Sequence, residues 1–410
     1  MTVNRLVAAT LAAASLVFSR PASAQQREPL LSEARVRAIA RDSSAWLEYL
    51  SRSRMQRALD SAAMAKELSS LNRAEMTRAP YARTFEITSR MTPAWFVSDS
   101  ARTIASNLLS FQAPNGGWSK HVDYAAGPRN PGQSWFSESN RWQWIATLDN
   151  SSTTEQMQFL AKIDSAQPAP AYKEAWRRGF RYLLAAQFPN GCWPQVWPLD
   201  GGYHDAATFN DDATTNVLTT LHQAAEGSPG FLSDNERQLA RAAVMRGIEC
   251  VLDAQQVVNG KPGAWGQQHD PLTLEPTSAR TYEHPSLTAQ ESANLLRFLI
   301  KQKNPSARMA AAIEGAAAWL ESHKLFGYTY DFSTGRKDSP GAGPIWARMY
   351  ELGTDRPLFS DRNGIRLYDW DQLKDRRTGY GWYTYAPVLA LRQYESWARK
   401  RQSTSKASEK

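Results

Sequence analysis

Apolar side chains recur along most of this chain every three or four residues, which is the spacing of one face of an α-helix. Residues 213–225, 236–251 and 287–301 show the spacing clearly. The strict alternation of apolar and polar residues that marks a half-buried strand is scarce. The pattern therefore predicts an all-α protein.

One segment with this pattern occurs twice and then a third time in looser form. Residues 108–118 match residues 183–193, and the third copy spans residues 251–265. Each copy is an amphipathic stretch that ends with a glutamine, an Asn-Gly turn in which left-handed backbone is tolerated, and a tryptophan. The repeat predicts three helical-hairpin units of about seventy residues that close into an α/α toroid, an (α/α)3 barrel.

The regions outside the repeat differ from it. Residues 1–24 have a basic start, a short apolar run and an Ala-Ser-Ala end, as in a secretory signal peptide, so we expect a secreted or periplasmic protein. Residues 25–93 predict a helical N-terminal extension. The toroid is expected over residues 94–398, and the basic tail, residues 399–410, is expected to be disordered.

The charge of the chain narrows the choice of partner. The chain has 48 Lys and Arg against 40 Asp and Glu, which favours a polyanion. Nucleic acid fits poorly because the first compact basic run is at residues 399–401, and no apolar run is long enough to span a membrane. Acidic polysaccharide fits better, because 15 Trp and 15 Tyr offer faces for sugar rings. A generic basic surface around core aromatics explains the same composition. A monomer is expected.

Acidic and amide side chains cluster in two short segments. Asp149 and Asn150 stand in the first, and Asp211 and Asp212 in the second. Calcium takes about six to eight oxygen ligands of these types, so the four side chains could hold it. Asn and Asp are also favoured as helix N-caps, and a helix could begin at either segment. The sequence has no EF-hand spacing that would decide between the two interpretations.

Three arginines also have two interpretations each. Arg280 could take part in chemistry or form an ion pair with Glu283. Arg362 and Arg376 could clamp carboxylates in bidentate fashion or lie on a solvated surface.

The sequence leaves the roles of its cysteines and of one histidine open. Cys192 and Cys250 could form a disulfide in an exported protein or remain buried thiols, and no metal-ligand spacing surrounds them. His269 beside Asp270 could be a general base or a structural histidine that hydrogen bonds hold in place.

Nine short motifs follow one another along residues 94–398. They are Asn-Gly-Gly-Trp-Ser-Lys at 115–120, Thr-Leu-Asp-Asn at 147–150, Pro-Asn-Gly-Cys-Trp-Pro-Gln at 189–195, Thr-Phe-Asn-Asp-Asp at 208–212, Trp-Gly-Gln-Gln-His-Asp at 265–270, Ala-Arg-Thr-Tyr-Glu at 279–283, Pro-Ile-Trp-Ala-Arg-Met-Tyr-Glu-Leu at 344–352, Phe-Ser-Asp-Arg at 359–362 and Gly-Tyr-Gly-Trp-Tyr at 379–383. Each motif alone is weak, but the ordered set resembles the family 10 pectate lyases. The resemblance implies the same α/α toroid that the repeat predicts.

The resemblance also implies an activity, which is the β-elimination of polygalacturonate. In that family calcium bridges protein carboxylates to a substrate uronate, and an arginine removes the proton at C5. By matching motifs, Arg280 resembles the catalytic arginine, Asp149 resembles the essential aspartate, and Asp149 and Asp211 resemble the calcium ligands. The substrate contacts that the resemblance implies are Lys120, Asn150, Arg362 and Arg376, and Arg348 and Arg377 are nearby alternatives to the last two.

An arginine base is unusual, because the free pKa of arginine lies above about 12. Neighbouring cations such as Lys120, calcium and other arginines would disfavour the charged form of Arg280, so we expect an alkaline activity optimum. Two alternatives stay open: a lyase for another uronate polysaccharide, and a non-catalytic protein that binds acidic glycans. Terpene cyclases share the Gln-x-x-x-Gly-x-Trp turns, but their acidic D-x-D-D motif is absent from this sequence.

Overall fold

The computed structural model describes residues 29–85, 91–138 and 145–408, so the predicted signal peptide, residues 1–24, lies outside the described residues. Helices that follow one another in sequence pack side by side: α4 on α5, α6 on α7 and α8 on α9. The helices of the described part are α1 (Glu33–Ile39), α2 (Ser43–Ser70), α3 (Asp99–Ser110), α4 (Thr154–Ala166), α5 (Pro170–Ala186), α6 (Ala213–Ala225), α7 (Asp234–Ala254), α8 (Ala289–Ile300), α9 (Ala307–Ser322) and α10 (Ala386–Ser408).

The prediction of an all-α toroid is wrong, because the described residues also form short antiparallel strands. The strands are β1 (Ala207–Thr208), β2 (Val257–Val258), β3 (Lys261–Pro262), β4 (Gln268–His269), β5 (Ser286–Thr288), β6 (Tyr328–Asp331), β7 (Gly335–Asp338), β8 (Trp346–Ala347), β9 (Met349–Glu351), β10 (Pro357–Ser360), β11 (Arg366–Leu367) and β12 (Tyr383–Thr384). The largest sheet has the order β11-β10-β9-β5, and β1–β4, β8–β12, β2–β3 and β6–β7 pair separately. Strands of two to four residues are too short to show a period of two, which is why the hydrophobic pattern missed them. The fold is therefore a mixture of helices and small sheets.

The sequence repeat has one hydrogen-bonding scheme in all three copies. Its glutamine donates from Nε2 to a glycine carbonyl of the turn and to a carbonyl of a later helix, and its tryptophan donates from Nε1 to a carbonyl of the preceding helix. The glutamine bonds join Gln112 to Gly116 and Ala175, Gln187 to Gly191 and Ala243, and Gln255 to Gly263 and Ala312. The indole bonds join Trp118 to Leu108, Trp193 to Leu183 and Trp265 to Val251. The repeat therefore fixes each turn between two helices.

The second turn shows why glycine and cysteine stand in it. Gly191 has a φ of +94°, and a Cβ atom there would lie 2.1 Å from the carbonyl oxygen of Arg246 in α7, so no other residue fits without a shift. The adjacent Cys192 forms a disulfide with Cys250 of α7, with 5.4 Å between the Cα atoms. Close packing and a covalent bond thus join this turn to the same helix.

Helices α1 and α2 of the N-terminal extension pack on the body of the protein. Tyr49 of α2 donates its hydroxyl to the carbonyl of Ala186 at 2.9 Å, and Asp60 accepts from the side chain of Asn115 at 2.8 Å. At the other end of the chain, α10 continues to Ser408, so residues 399–408 are helical where disorder was expected. No helix in the described part is long and apolar enough to cross a membrane.

Candidate active site

Two turns carry the acidic side chains that the sequence singled out. Residues 149–151 form a 3-10 turn before α4, and residues 210–212 form one before α6. Four non-glycine residues in these turns have a positive φ, namely Asn150 (49°), Ser151 (61°), Asp211 (49°) and Asp212 (60°). Asn and Asp adopt this conformation more readily than other side chains, and such residues cluster at functional sites.

The carboxylates of these turns do not cap the helices that follow. Neither α4 nor α6 has a side-chain hydrogen bond at its N-cap. Instead, Asp149 Oδ2 accepts a hydrogen bond from Lys120 Nζ at 2.6 Å, and Asp211 Oδ2 accepts one from Asn210 Nδ2 at 2.9 Å. The capping interpretation is therefore wrong for both turns.

Asp149 is a buried, ionised carboxylate. Burial raises its pKa, but the charge and hydrogen bond of Lys120 lower it further, and the net pKa lies below the usual range. The second oxygen, Oδ1, is also buried and accepts no hydrogen bond of normal geometry within the described residues, although the nearby Gln195 side chain also lowers the pKa of Asp149. A buried carboxylate oxygen without a donor is costly, so this oxygen is a suitable ligand for a cation.

Asp211 belongs to the same charged cluster. Burial and the negative charge of Asp149 raise its pKa to about 6, and Glu291 adds to the effect, while Arg348 and Arg280 oppose it. The two aspartates of the neighbouring turns are therefore close enough to repel each other. A positive charge between them would relieve that repulsion.

Arg280 is held by Glu283, as one interpretation of the sequence proposed. Glu283 Oε2 accepts from the Nε of Arg280 at 2.7 Å, and its Oε1 accepts from Nη2. Burial alone would lower the pKa of Arg280, but the hydrogen bonds and charge of Glu283 raise it above its ordinary value. The expectation that the surroundings would disfavour the charged form is thus not met in this geometry, because a buried carboxylate contacts the guanidinium directly.

Two further residues are central to the cluster: Arg348, which the sequence offered only as an alternative substrate contact, and Glu291, which it did not single out. Arg348 Nη2 donates to Asn210 Oδ1 at 2.8 Å and to Glu291 Oε1 at 2.9 Å. Burial lowers the pKa of Arg348, but the nearby Tyr380, Glu291 and Asp211 raise it more, so the guanidinium stays charged. Arg348 lies in one of the nine motifs, whereas Glu291 lies within the apolar period of α8, where no motif marked it.

The two remaining arginines that were predicted as substrate contacts differ in their surroundings. The Arg376 guanidinium lies 4.5 Å from the Tyr282 ring centroid and 5.2 Å from that of Tyr380, and Arg280 contacts the same two rings at 5.0 Å and 5.7 Å. Arg362 is exposed, and its backbone carbonyl accepts a hydrogen bond from the residue after Arg280. The structure therefore brings Arg376 to Arg280 and places Arg362 beside the same loop.

A cavity of about 560 Å³ opens next to the charged cluster. Asn150, Asp211, Glu291 and Arg348 line it together with residues 83–85 of the N-terminal extension. The other predicted site residues do not line it; these are Lys120, Asp149, Arg280, Arg362 and Arg376. The cluster thus borders the cavity, and Asp211 belongs to both.

His269 is structural, and the general-base interpretation is wrong. The ring is fully buried, Nε2 accepts from the backbone N–H of Gly266 at 2.9 Å, and Nδ1 lies 2.7 Å from the carbonyl of Leu274, which assigns the proton to Nδ1. Burial lowers the pKa of His269 to about 4. A neutral ring whose two nitrogens both bind backbone groups cannot exchange protons with a substrate.

Comparisons with known proteins agree with the motifs. The sequence profile of pectic acid lyases matches residues 112–389. A family 10 polysaccharide lyase from Cellvibrio cellulosa is 34% identical, with a TM-score of 0.65, over 77% of this chain and 99% of that chain. A mutant of a family 10 polysaccharide lyase from the same organism, in complex with trigalacturonic acid, is 35% identical, with a TM-score of 0.65, over 74% of this chain and 96% of that chain.

A search of curated protein sequences gave no match. The profile nevertheless covers more than half of the chain, and both solved structures are more than 30% identical over nearly their whole length. The chain therefore belongs to the pectic acid lyase family and is a polysaccharide lyase.

Proposed function

We propose that the protein cleaves α-1,4-linked polygalacturonate by calcium-assisted β-elimination and releases 4,5-unsaturated oligogalacturonides. The observation that carries the proposal is the charged cluster in which Lys120 contacts Asp149, while the charges of Asp149 and Arg280 both act on the neighbouring Asp211. Removal of the C5 proton places a second negative charge beside the uronate carboxylate, so cations at that carboxylate stabilise the transition state. The family 10 relative that binds trigalacturonic acid supports a galacturonate substrate.

The residues present fit a calcium ion. Asp149 contributes a buried oxygen that accepts no hydrogen bond of normal geometry from the described residues, and Asn150 adds an amide oxygen at the same turn. The negative charges of Asp149 and Asp211 repel each other, and a cation between them would relieve this repulsion. Among the residues that the structure describes, no group of three or more His, Cys, Asp and Glu is arranged to hold a metal. Since calcium takes about six to eight oxygens, the substrate carboxylate and water would complete the set. Bound calcium would supply a positive charge at the uronate carboxylate.

Arg280 is the proposed base. Glu283 engages its Nε and Nη2, and Nη1 takes part in none of the hydrogen bonds found for the described residues. Arg280 takes the C5 proton, the electron pair of that bond becomes the C4–C5 double bond, and the C4–O bond breaks. The leaving oxygen takes a proton from water. Because Glu283 raises the pKa of Arg280, the neutral base forms only at high pH, and this supports an alkaline optimum.

The other cations bind the substrate. Lys120 neutralises the reacting uronate beside Asp149, and Asn150 contacts the same sugar from the turn. Arg376 and Arg362, next to the Arg280 loop, pair with carboxylates of neighbouring galacturonate units.

We also propose that residues 1–24 are removed during export and that the secreted or periplasmic protein acts as a monomer. N-terminal sequencing of the purified protein tests the removal of residues 1–24, and light scattering tests the monomer.

The direct test is the ultraviolet absorbance of unsaturated products from polygalacturonate at alkaline pH, with calcium and then with a chelator. Growth of absorbance with calcium and its loss with the chelator are expected. Growth that persists in the chelator contradicts the metal assignment. Absence of growth with polygalacturonate, but growth with another uronate polysaccharide, keeps the elimination and replaces the substrate.

A further inference from the structure

The end of the N-terminal extension lies along the wall of the cavity beside the cluster. The backbone N–H of Ala82 donates to the carbonyl of His121 at 3.0 Å, and that of Asp123 donates to the carbonyl of Pro80 at 3.0 Å. Residues 81 and 122 pair as an antiparallel bridge between these bonds. Since His121 follows Lys120 directly, the extension is fixed to the segment that supplies a cation to the cluster.

The side chains of this segment either anchor it or face solvent. Phe85 packs on Tyr124 and Phe159, with ring centroids 4.9 Å and 5.5 Å apart. The Tyr81 ring touches His121 at a centroid distance of 5.4 Å, and 58% of Tyr81 remains exposed. An anchored segment with an open aromatic face is a platform on which a sugar ring can stack.

Arg83 adds a second arginine to the lining of the cavity. It is exposed, lines the cavity with Asp211, and forms no salt bridge with any acid of the described residues. The other arginine of the cavity lining, Arg348, is already bound to Glu291. The guanidinium of Arg83 is therefore available to a carboxylate that enters from outside.

We propose that residues 81–85 form an additional subsite for the uronate chain, in which Tyr81 stacks on a sugar ring and Arg83 pairs with a uronate carboxylate away from the bond that is cleaved. The proposal rests on the proposed function, because it takes the polyuronate as ligand. Residues 81–85 lie outside the region matched by the family profile, residues 112–389. It would extend the cleft, so that long substrates gain more from it than short ones.

The test compares long and short substrates. Arg83→Ala and Tyr81→Ala should each raise KM for polygalacturonate about three- to fivefold at unchanged kcat, the size expected for one exposed contact. KM for trigalacturonic acid should change less, because a trimer occupies fewer subsites at once than a long chain does. Arg83→Glu should raise KM more, and added salt should reduce the difference. Tyr81→Phe should restore the wild-type KM, because it keeps the ring.

The matched controls are Arg41→Ala, an exposed arginine of the extension outside the cavity lining, and Phe326→Ala, an exposed aromatic residue elsewhere. Both should leave KM unchanged. Equal KM values for Arg83→Ala and Arg41→Ala overturn the subsite. An equal rise of KM for polygalacturonate and for trigalacturonic acid in Arg83→Ala also overturns it, because it indicates a structural effect on the cluster. Inactivity of the wild type in the same assay overturns the proposed function instead, so the two failures are distinguishable.

Discussion

Replacing Glu283 with glutamine tests how the proposed base is held. Glu283 is only 3% exposed and accepts from the backbone N–H and two guanidinium nitrogens of Arg280, and from the Tyr380 hydroxyl at 3.0 Å. Glutamine has nearly the same shape as glutamate, but an NH2 group replaces one carboxylate oxygen and faces the donors that this oxygen accepts from. The variant therefore loses the negative charge and at least one of these bonds while the packing is kept.

The magnitude follows from those contacts. A hydrogen bond to a charged group contributes about 1.5–3 kcal/mol, and about 1.4 kcal/mol changes a rate tenfold. The Arg280 side chain is 46% exposed, and solvent screening places the effect at the lower end of that range. We expect kcat on polygalacturonate at the alkaline plateau, where Arg280 is already neutral, to fall about tenfold because the base is no longer held in position, with little change in KM.

The pH profile separates a positioning role from a general loss of structure. Glu283 raises the pKa of Arg280, so its removal lowers that pKa, and the alkaline rise of kcat should move to lower pH. The control is Glu67→Gln, which breaks the bidentate pair with Arg129, at 3.0 and 2.6 Å, away from the cavity. A folded Glu283→Gln variant with the wild-type rate and pH profile refutes the assignment of Glu283 to Arg280, and so does an equal shift in Glu67→Gln.

Three further predictions concern stability and the metal. The folded-state pKa of His269, about 4, lies below its unfolded value of about 6.5. The free energy of unfolding should therefore fall by about 3 kcal/mol as the pH drops from 6.5 to 4. In denaturant unfolding, the His269→Gln variant should lack this dependence on pH. Gly191→Ala should lower the midpoint of thermal unfolding by several degrees, because its Cβ meets a backbone oxygen at 2.1 Å, while Gly201→Ala, with open space at its Cβ, should cost less. Asp149→Asn should abolish the stabilisation of the protein by added calcium in thermal unfolding, and an unchanged calcium response contradicts the ligand assignment.

The repeat could be predicted from the sequence because each copy serves a contact that demands particular residues. Gln112 and its counterparts bind two carbonyls at once, and Gly191 has a positive φ and no room for a Cβ atom. The sheets could not be predicted, because strands such as β8 and β12 pair through backbone groups that any sequence of two residues supplies. The all-α fold class was therefore wrong, although most helices coincide with the apolar period.

The family membership was confirmed, since the ordered motifs agree with the profile match and with both solved structures. The geometry of the cluster was less accessible to sequence reasoning. Asp149, Asp211, Arg280 and Arg348 stand in motifs, but Glu291 does not, and Glu291 and Arg348 act through contacts between segments that lie far apart in the chain. Burial and these long-range charges decide the pKa values, and neither can be read from spacing along the sequence.

The measurement that tests the central claim most directly is a pair of assays on Arg280→Ala, namely cleavage of polygalacturonate followed by ultraviolet absorbance and binding of pectate followed by gel retardation. Thermal unfolding first establishes that the variant is folded. The account predicts that cleavage is lost while binding stays measurable, because Lys120, Arg376 and Asp149 remain in place. Continued cleavage, or loss of binding together with cleavage in a folded variant, contradicts the assignment of Arg280 as the base.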